Sequence, residues 1–413
     1  DKLFSYNAPY INTILPPVGV SGSTVYLDLK GTSFGLSGTV SIGTGTCFWD
    51  ASTGFYQHGQ INCLVPPGSG SRLPVQISVG GQVSNIVYFS YAPVLNSISV
   101  QSGTAYTAGG AVLYLNGTAF GDTAYSTATV MVGSSMCTIL TRSDTAITCT
   151  LPPGEGSTNV VVTVNGYSAP SLPFVYVSPQ ITALNPNHGP AAGNNILTIT
   201  GNSFGSGLQT TVTIGGQPCV VNTTIPNLGG TQIVCKVPAG TGANQPVVVN
   251  VAGLTNTTAT YSYDPPSIAA LSPPNGVSAG GYKVTVTGVN FGSPSTTIFA
   301  VVGGVLVQVG AHNDTWLTLD VPAGTGSLDI KLLVALQSSE VASFIYDPPQ
   351  LLTISPSKGD AAGGYTMVLT GTSLGTGGTV KIGTLTCPLS GSGWQQNNIT
   401  CTVPPGQGVN LGT

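Results

Sequence analysis

A five-residue motif, Gly-x-x-Phe-Gly, recurs along this chain at Gly31-Thr-Ser-Phe-Gly35, Gly117 to Gly121, Gly201 to Gly205 and Gly288 to Gly292. A fifth copy, Gly371 to Gly375, carries Leu374 in place of Phe. The first glycines stand 86, 84, 87 and 83 residues apart, and each copy is followed by a Pro-Pro/Ala-Gly turn at Pro66, Pro152, Pro238, Pro322 or Pro404. Self-similarity at one period means one small unit written several times, so whatever folds must fold five times over.

The strand pattern says what each unit is. Period-two alternation runs through Val25, Leu27 and Leu29, through Val75, Ile77 and Val79, through Val160, Val162 and Val164, and through Val284 and Val286. Turn residues such as Gly80-Gly81 and Asn165-Gly166 close these runs. No capped stretch has a helical period. The fold class is therefore all-β, a tandem array of five two-sheet β-sandwich domains forming an extended rod.

Composition narrows the function. Nine Lys and Arg and 13 Asp and Glu make up 5% of 413 residues, where an ordinary globular chain has about a quarter. Solubility must come from Ser and Thr hydroxyls, from attached glycans, or from burial of the surface in an assembly. A net charge of −4 with scattered cations gives no phosphate-neutralising patch, so nucleic acid is not an expected partner. No apolar run approaches the roughly 18 to 20 residues that span a bilayer, so no membrane span is expected in these residues. No signal peptide is recognisable, and the chain begins within a repeat. Any secretion signal is expected to have been removed or to lie outside these residues.

Cysteine phasing is the sharpest local feature. Cys47 and Cys63, Cys137 and Cys149, Cys219 and Cys235, and Cys387 and Cys401 form one pair per repeat, the second always just before the Pro-Gly turn. Disulfides within repeats explain this, whereas zinc needs four clustered ligands and His58, His188 and His312 lie in different repeats. Closing loops of 12 to 16 residues is worth about 3 kcal/mol each in the chain-entropy model. An oxidising setting follows, extracellular or at the cell surface in a secreted protein. Repeat 4 has no cysteine. Alignment on its Val321-Pro322-Ala323-Gly324 turn puts Val307 and Leu319 at the two positions, both expected to pack inward.

The run Ile-x-x-Leu/Ile-x-Pro-x-x-Gly-x-x-x-Gly-Gly, then an alternating strand, then Gly-x-x-Phe-Gly, resembles the IPT/TIG domains of plexins, Met-type receptors, secreted repeat proteins and some transcription factors. It reads Ile354-Ser355-Pro356-Ser357-Lys358-Gly359 to Gly363-Gly364, and Leu271-Ser272-Pro273-Pro274-Asn275-Gly276 to Gly280-Gly281. Repeat 3 matches from Leu184 to Gly193, and repeats 1 and 2 match more loosely. The resemblance implies an immunoglobulin-like fold and no shared catalytic residues. The DNA-binding members use basic loops, which this chain lacks.

Each repeat closes with an aromatic strand and a proline hinge, at Tyr91-Ala92-Pro93, Tyr176 to Pro179, Tyr263 to Pro266 and Tyr346 to Pro349. Proline restricts itself and its predecessor, so the linkers should be semi-rigid. The expected divisions are residues 1–9, a closing strand of a preceding repeat, then 10–93, 94–179, 180–266, 267–349 and 350–413. The last is expected to lack two final strands, because Thr413 follows Gly406 by seven residues where other repeats run 22 or 23 residues to the closing tyrosine. Two readings stand. The chain is an excerpt of a longer array, or the leading strand of one copy completes the open sandwich of the next.

Five Asn-x-Ser/Thr sequons, at Asn116, Asn222, Asn256, Asn313 and Asn398, are candidate N-glycosylation sites. The carboxylates form no paired motif and the histidines are single and isolated, so neither a triad nor an enzyme is expected. No cofactor or metal is expected either. Asp264 and Asp347 at the hinges offer too few oxygens for calcium, and His188 reads as a solvated loop residue. Phe48, Trp49, Phe55 and Tyr56, between Cys47 and Cys63 with His58, are the candidate ligand patch. Trp316 and Trp394 fall in the corresponding region of repeats 4 and 5.

Together these features predict a structural extracellular glycoprotein, a rod or head-to-tail filament subunit. Its partners would be other copies of itself or neighbouring repeats of a longer chain, with covalent glycans. The alternative is a cell-surface adhesin or receptor ectodomain that binds a glycan or protein through repeat 1 loops.

Overall fold

The computed structural model describes residues 3–20, 23–49, 54–121, 126–206, 209–222, 230–408 and 412, with the Ser392 side chain left aside. The regular elements named among them are all β-strands, and five successive two-sheet units follow one another along the chain.

Repeat 4 shows the unit most simply. Ser267–Ser272, Lys283–Val289 and Trp316–Asp320 form one antiparallel sheet. The facing sheet runs Asn275–Gly276, Ala342–Tyr346, Ser327–Val334, Ile298–Val302, Val305–Gln308. Alternation drives Val284, Val286, Leu317 and Leu319 from one sheet against Ala300, Val302, Ile330 and Leu332 from the other, all at most 5% exposed. Burying each of the Val, Leu and Ile side chains is worth about 1.5–3 kcal/mol. Asn275–Gly276 pairs in parallel with Ala342–Tyr346, as His188–Gly189 does with Leu254–Tyr263 and Val18–Val20 with Val87–Ala92. The entering chain thereby touches one sheet and then the other. In repeat 2 the strand Ser135–Arg142 pairs with both Ala128–Val132 and Ala146–Thr150, joining the two sheets.

Four of the five positions of Gly-x-x-Phe-Gly have a physical reason, and the last glycine is left-handed in every copy, with φ of 68, 70, 68, 89 and 79° at Gly35, Gly121, Gly205, Gly292 and Gly375. The first strand of each repeat passes over the first glycine, where a Cβ would run into the carbonyl oxygen of Tyr10, Val94, Gln180, Ser267 or Gln350. The same strand carries a bulge in all five copies, between Ile11 and Thr13, Leu95 and Ser97, Ile181 and Ala183, Ile268 and Ala270, and Leu351 and Thr353. The residue before the aromatic is left-handed throughout: Ser33, Ala119, Ser203, Asn290 and Ser373 have φ of 62, 59, 58, 63 and 54°. Phe34, Phe120, Phe204 and Phe291 are fully buried, and Leu374, a smaller plug, is 8% exposed.

The closing tyrosines are equally regular. Tyr91, Tyr176, Tyr263 and Tyr346 each donate a hydroxyl hydrogen bond, 2.5–2.9 Å long, to the carbonyl of Pro66, Pro152, Pro238 or Pro322. The glycine two residues after that proline lies against the tyrosine ring, where any Cβ would collide. Edge-to-face partners Phe89, Phe174, Tyr261 and Phe344 sit 5.3–5.5 Å away, centroid to centroid.

Two expectations need correction or refinement. Val307 does occupy the register position of the missing cysteine, opposite Ala300, but it is 39% exposed while Leu319 is 5% exposed. With no disulfide to draw it across, Val305–Gln308 stays an edge strand of its own sheet, and Val309, 7% exposed, fills the core. Repeat 1 is closer to the later copies than its sequence indicates. Leu15–Pro16 is a cis peptide like Asn185–Pro186, Ser272–Pro273 and Ser355–Pro356. Repeat 5 pairs Gln350–Ser355, Thr366–Thr372, Asn398–Thr402 and Leu389–Trp394 in one sheet and Val380–Ile382 with Leu385–Cys387 in the other.

Successive repeats are joined by one recurring loop pair. Between repeats 2 and 3, Gly205 N–H donates to Thr107 Oγ1 at 3.1 Å and Ser206 N–H to Glu155 Oε2 at 3.2 Å. Between repeats 3 and 4, Ala191 N–H donates to Asn290 Oδ1 at 3.0 Å while Asn290 Nδ2 donates to the Pro265 carbonyl at 3.1 Å. Between repeats 4 and 5, Gly375 N–H donates to Ser278 Oγ at 3.1 Å, and that hydroxyl donates to Gln396 Oε1 at 2.5 Å. Thr107, Ala191 and Ser278 all lie two residues before a left-handed glycine and are at most 6% exposed. At the first junction Ala119 packs into the core of repeat 1.

Candidate functional site

The cysteines pair as Cys47–Cys63, Cys137–Cys149, Cys219–Cys235 and Cys387–Cys401, each with a Cα–Cα distance of 5.6 Å. All eight are at most 3% exposed. Each bond ties the strand carrying the first cysteine to the strand that precedes the Pro-Gly turn, across the core; in repeats 2 and 3 that first strand also pairs with strands of both sheets.

The aromatic insert of repeat 1 splits into an outer and an inner part. Phe55–Tyr56 pairs with Gln60–Leu64, and alternation along those two residues sends Phe55 outward and Tyr56 inward. Phe48 is 66% exposed, Trp49 39% and Phe55 38%. Tyr56 is 8% exposed, and its hydroxyl donates to the Phe34 carbonyl at 2.7 Å. Burial pushes its phenol pKa up. Tyr56 is therefore not a ligand-facing ring; it bolts the insert to the Gly-x-x-Phe-Gly loop. Trp49 leans on it at 5.3 Å between centroids, leaving Phe48, Trp49 and Phe55 as the open apolar surface. Residues 50–53, which connect them, lie outside the described residues. His58 is exposed, and its carbonyl accepts from Phe34 N–H. Trp316 is 38% exposed. Trp394 packs on the repeat 5 core and donates its indole N–H to the Leu374 carbonyl at 2.9 Å.

The sequon asparagines occupy distinct settings. Asn116 points outward from the strand Val112–Thr118, and Asn222 is exposed at the end of its strand, with Thr223 and Thr224 outside the described residues. Asn256 and Asn313 are half-buried, and each Oδ1 accepts from the hydroxyl and backbone N–H of its own sequon threonine, Thr258 or Thr315. Asn398 opens the strand Asn398–Thr402, with its Oδ1 buried.

His188 is more than a solvated loop residue. Its Nδ1 lies 2.7 Å from Asp264 Oδ1 at the hinge, and the matching pair in repeat 4 is Asn275 Nδ2 donating to Asp347 Oδ1 at 2.6 Å. Each hinge aspartate thus faces a side chain of its own repeat. Among the described residues no group of three or more His, Cys, Asp and Glu is placed to hold a metal ion. No helix among them is long and apolar enough to cross a membrane. What sequence reasoning missed is the junction set Thr107, Ser278 and Asn290. The visible signal was the residue before the motif aromatic, which is always Ser, Ala or Asn, types that fit a left-handed turn pressed against a neighbour.

The IPT/TIG domain model matches five times, at residues 9–91, 93–176, 179–263, 266–346 and 349–412. Fibrocystin-L of Homo sapiens is 26% identical over 379 residues, which cover 88% of this chain and 9% of that protein. Fibrocystin-L of Mus musculus is 26% identical over 362 residues, covering 82% and 8%. The chain therefore spans less than a tenth of the length of these curated relatives. Solved structures with distant likeness include the plexin A4 extracellular region, 15% identical with a TM-score of 0.22 over 96% of this chain and 42% of that one. A surface glycan-binding protein from Prevotella bryantii is 12% identical with a TM-score of 0.32, over 77% and 86%. On the five matches that tile it, this chain belongs to the IPT/TIG domain family.

Proposed function

We propose that this chain is part of an extracellular ectodomain and acts as a structural spacer, a stiff rod of IPT/TIG sandwiches that fixes the distance between whatever flanks it. The observation that carries the reading is the junction: the same loop pair is hydrogen-bonded between repeats 2 and 3, 3 and 4, and 4 and 5. A freely jointed string would not bury Thr107, Ser278 and Asn290 between neighbours. Four core disulfides support an oxidising, extracellular or cell-surface setting. Glycans at the sequons would solubilise a surface that carries little charge. The proposal assigns no catalysis and no cofactor.

Head-to-tail assembly is the stronger form of this reading. Gln82 Nε2 donates to the Tyr6 carbonyl at 3.0 Å, the same bond that Gln337 makes to Tyr263 at 2.8 Å across a true junction. Leu3, Phe4 and Tyr6 are 92%, 81% and 81% exposed. This bond supports reading residues 3–9 as a preceding repeat's closing strand, which another copy would use in a filament. The competing reading, a receptor or adhesin, is favoured by the outward Phe48, Trp49 and Phe55.

Small-angle scattering of the full chain, with electron microscopy of the native material, tests the proposal. A scattering profile of one elongated particle, five sandwiches end to end, is expected. A profile that fits only a broad ensemble of bent strings would overturn the spacer reading, and discrete monomers in the micrographs would remove the filament form alone.

A further inference from the structure

We infer that the cleft between repeats 1 and 2 is a binding site for a neutral sugar, a pyranose ring within an oligosaccharide. The cleft holds about 720 Å³ and is walled by Arg72, Tyr88, Leu73 and Pro74 from repeat 1 and by Asp144 and Gly121 from repeat 2. The walls belong to different repeats, so the site exists only where the two are docked. Ser71 lies close enough to Gly121 that a Cβ there would be 2.8 Å from its Oγ.

Three features set this place apart from the rest of the surface. The chain has two arginines, Arg72 and Arg142, and both stand at this junction. Arg72 walls the cleft, and Arg142 Nη2 donates to the Ser126 carbonyl at 2.6 Å, beside Gly121, whose missing Cβ would strike Ser126 Oγ. Arg72 also holds a left-handed backbone, φ 54°, at the position where repeat 3 has Asn244 with φ 54°. Asn tolerates that conformation and Arg does not gain from it, so a strained arginine points to a use. Its guanidinium lies 4.8 Å above the Tyr88 ring, which orients the flat donor edge before any ligand arrives.

The chemistry of the walls selects the ligand. Arg72 offers planar donors, Asp144 offers acceptors, Ser69 and Ser71 offer hydroxyls, and Leu73 with Pro74 offers a C–H surface. One Asp144 oxygen accepts from the Gly121 N–H at 3.1 Å, and among the described residues none donates to the other, which would take a ligand hydroxyl. A cation and an anion across one cleft favour a neutral ligand that both donates and accepts, whereas a free carboxylate would meet the Asp144 charge. A pyranose presents vicinal hydroxyls at its edge and an apolar C–H face, matching both walls.

The test is saturation-transfer NMR and calorimetry of the full chain with cellohexaose, laminarihexaose, maltohexaose and mannohexaose. At least one should bind in the millimolar range or tighter. Arg72→Gly, which suits the left-handed backbone, and Asp144→Asn, which can still accept from Gly121, should each weaken binding by about 10- to 100-fold, the loss of one hydrogen bond to a charged group. An unchanged melting temperature in Arg72→Gly separates this from misfolding. Absence of binding by all four sugars, binding that survives both variants, or binding only of a carboxylated probe such as polygalacturonate overturns the assignment.

Discussion

Asn290 is where the junction between repeats 3 and 4 can be opened with one substitution. It is 8% exposed, accepts from the buried Ala191 N–H at 3.0 Å and donates to the Pro265 carbonyl at 3.1 Å. Its φ of 63° suits glycine, so Asn290→Gly removes the side chain without adding backbone strain. An orphaned buried N–H costs about 1–3 kcal/mol, and the second lost bond about 1 kcal/mol more. A total of about 2–4 kcal/mol multiplies the open population of the junction about 30- to 1000-fold. Hydrogen exchange read by mass spectrometry should show faster exchange in the peptide containing Ala191, with repeat 1 peptides unchanged. If the Ala191 amide exchanges at the parental rate, the bond across the junction contributes nothing and the stiffness argument fails with it.

Other outcomes follow from the same structure. Burial pushes the Tyr176 and Tyr263 hydroxyls up to about 12 and raises those of Tyr91, Tyr261 and Tyr346. Because the folded values lie above the ordinary value of 10, this stability is intact below pH 10 and is lost as pH rises through about 12. Tyrosinate absorbance and near-ultraviolet circular dichroism should therefore change together in that window; titration of every tyrosine near pH 10 without loss of structure would contradict it. Gly201→Ala forces a Cβ into the Gln180 carbonyl and the Phe204 ring, and overpacking of this kind costs about 1–3 kcal/mol, measurable by urea unfolding; an unchanged midpoint would refute the close approach. Replacing both Cys137 and Cys149 by serine should cost repeat 2 about 2–4 kcal/mol, read by calorimetry, with repeat 4 unaffected. Glycopeptide mapping of secreted material should find sugar on the outward Asn116 and none on Asn398, whose side-chain oxygen is buried; the reverse pattern would refute this.

Much of the fold was legible because its causes are local and recur. Alternation marked the strands, cysteine phasing marked the staples, and the Gly-x-x-Phe-Gly spacing marked a loop whose glycines answer to a crossing strand and a left-handed turn. What was not legible depends on contacts far along the chain. Ala191, one of the two partners of Asn290, lies 99 residues away, and nothing in the residues around Asn290 names it. Tyr56 reads as one of four clustered aromatics, and only the pairing of Phe55–Tyr56 with Gln60–Leu64 decides which face it takes. Val307 was aligned in register, yet its burial depended on the bond that repeat 4 lacks. The junction cleft draws its residues from two repeats, so no scan within one repeat could assemble it.

The missing staple in repeat 4 has a mechanical meaning. Pulled from both ends, each disulfide-bearing repeat keeps the 12 to 16 residues between its cysteines out of the extending path, a saving of about 40–55 Å at about 3.4 Å per residue. Repeat 4 has no such knot, and its strand Val305–Gln308 is held by a single neighbour. Under tension it can pay out its whole length, and it does so equally in oxidising and reducing surroundings. The array therefore contains one link built to lengthen further than the rest.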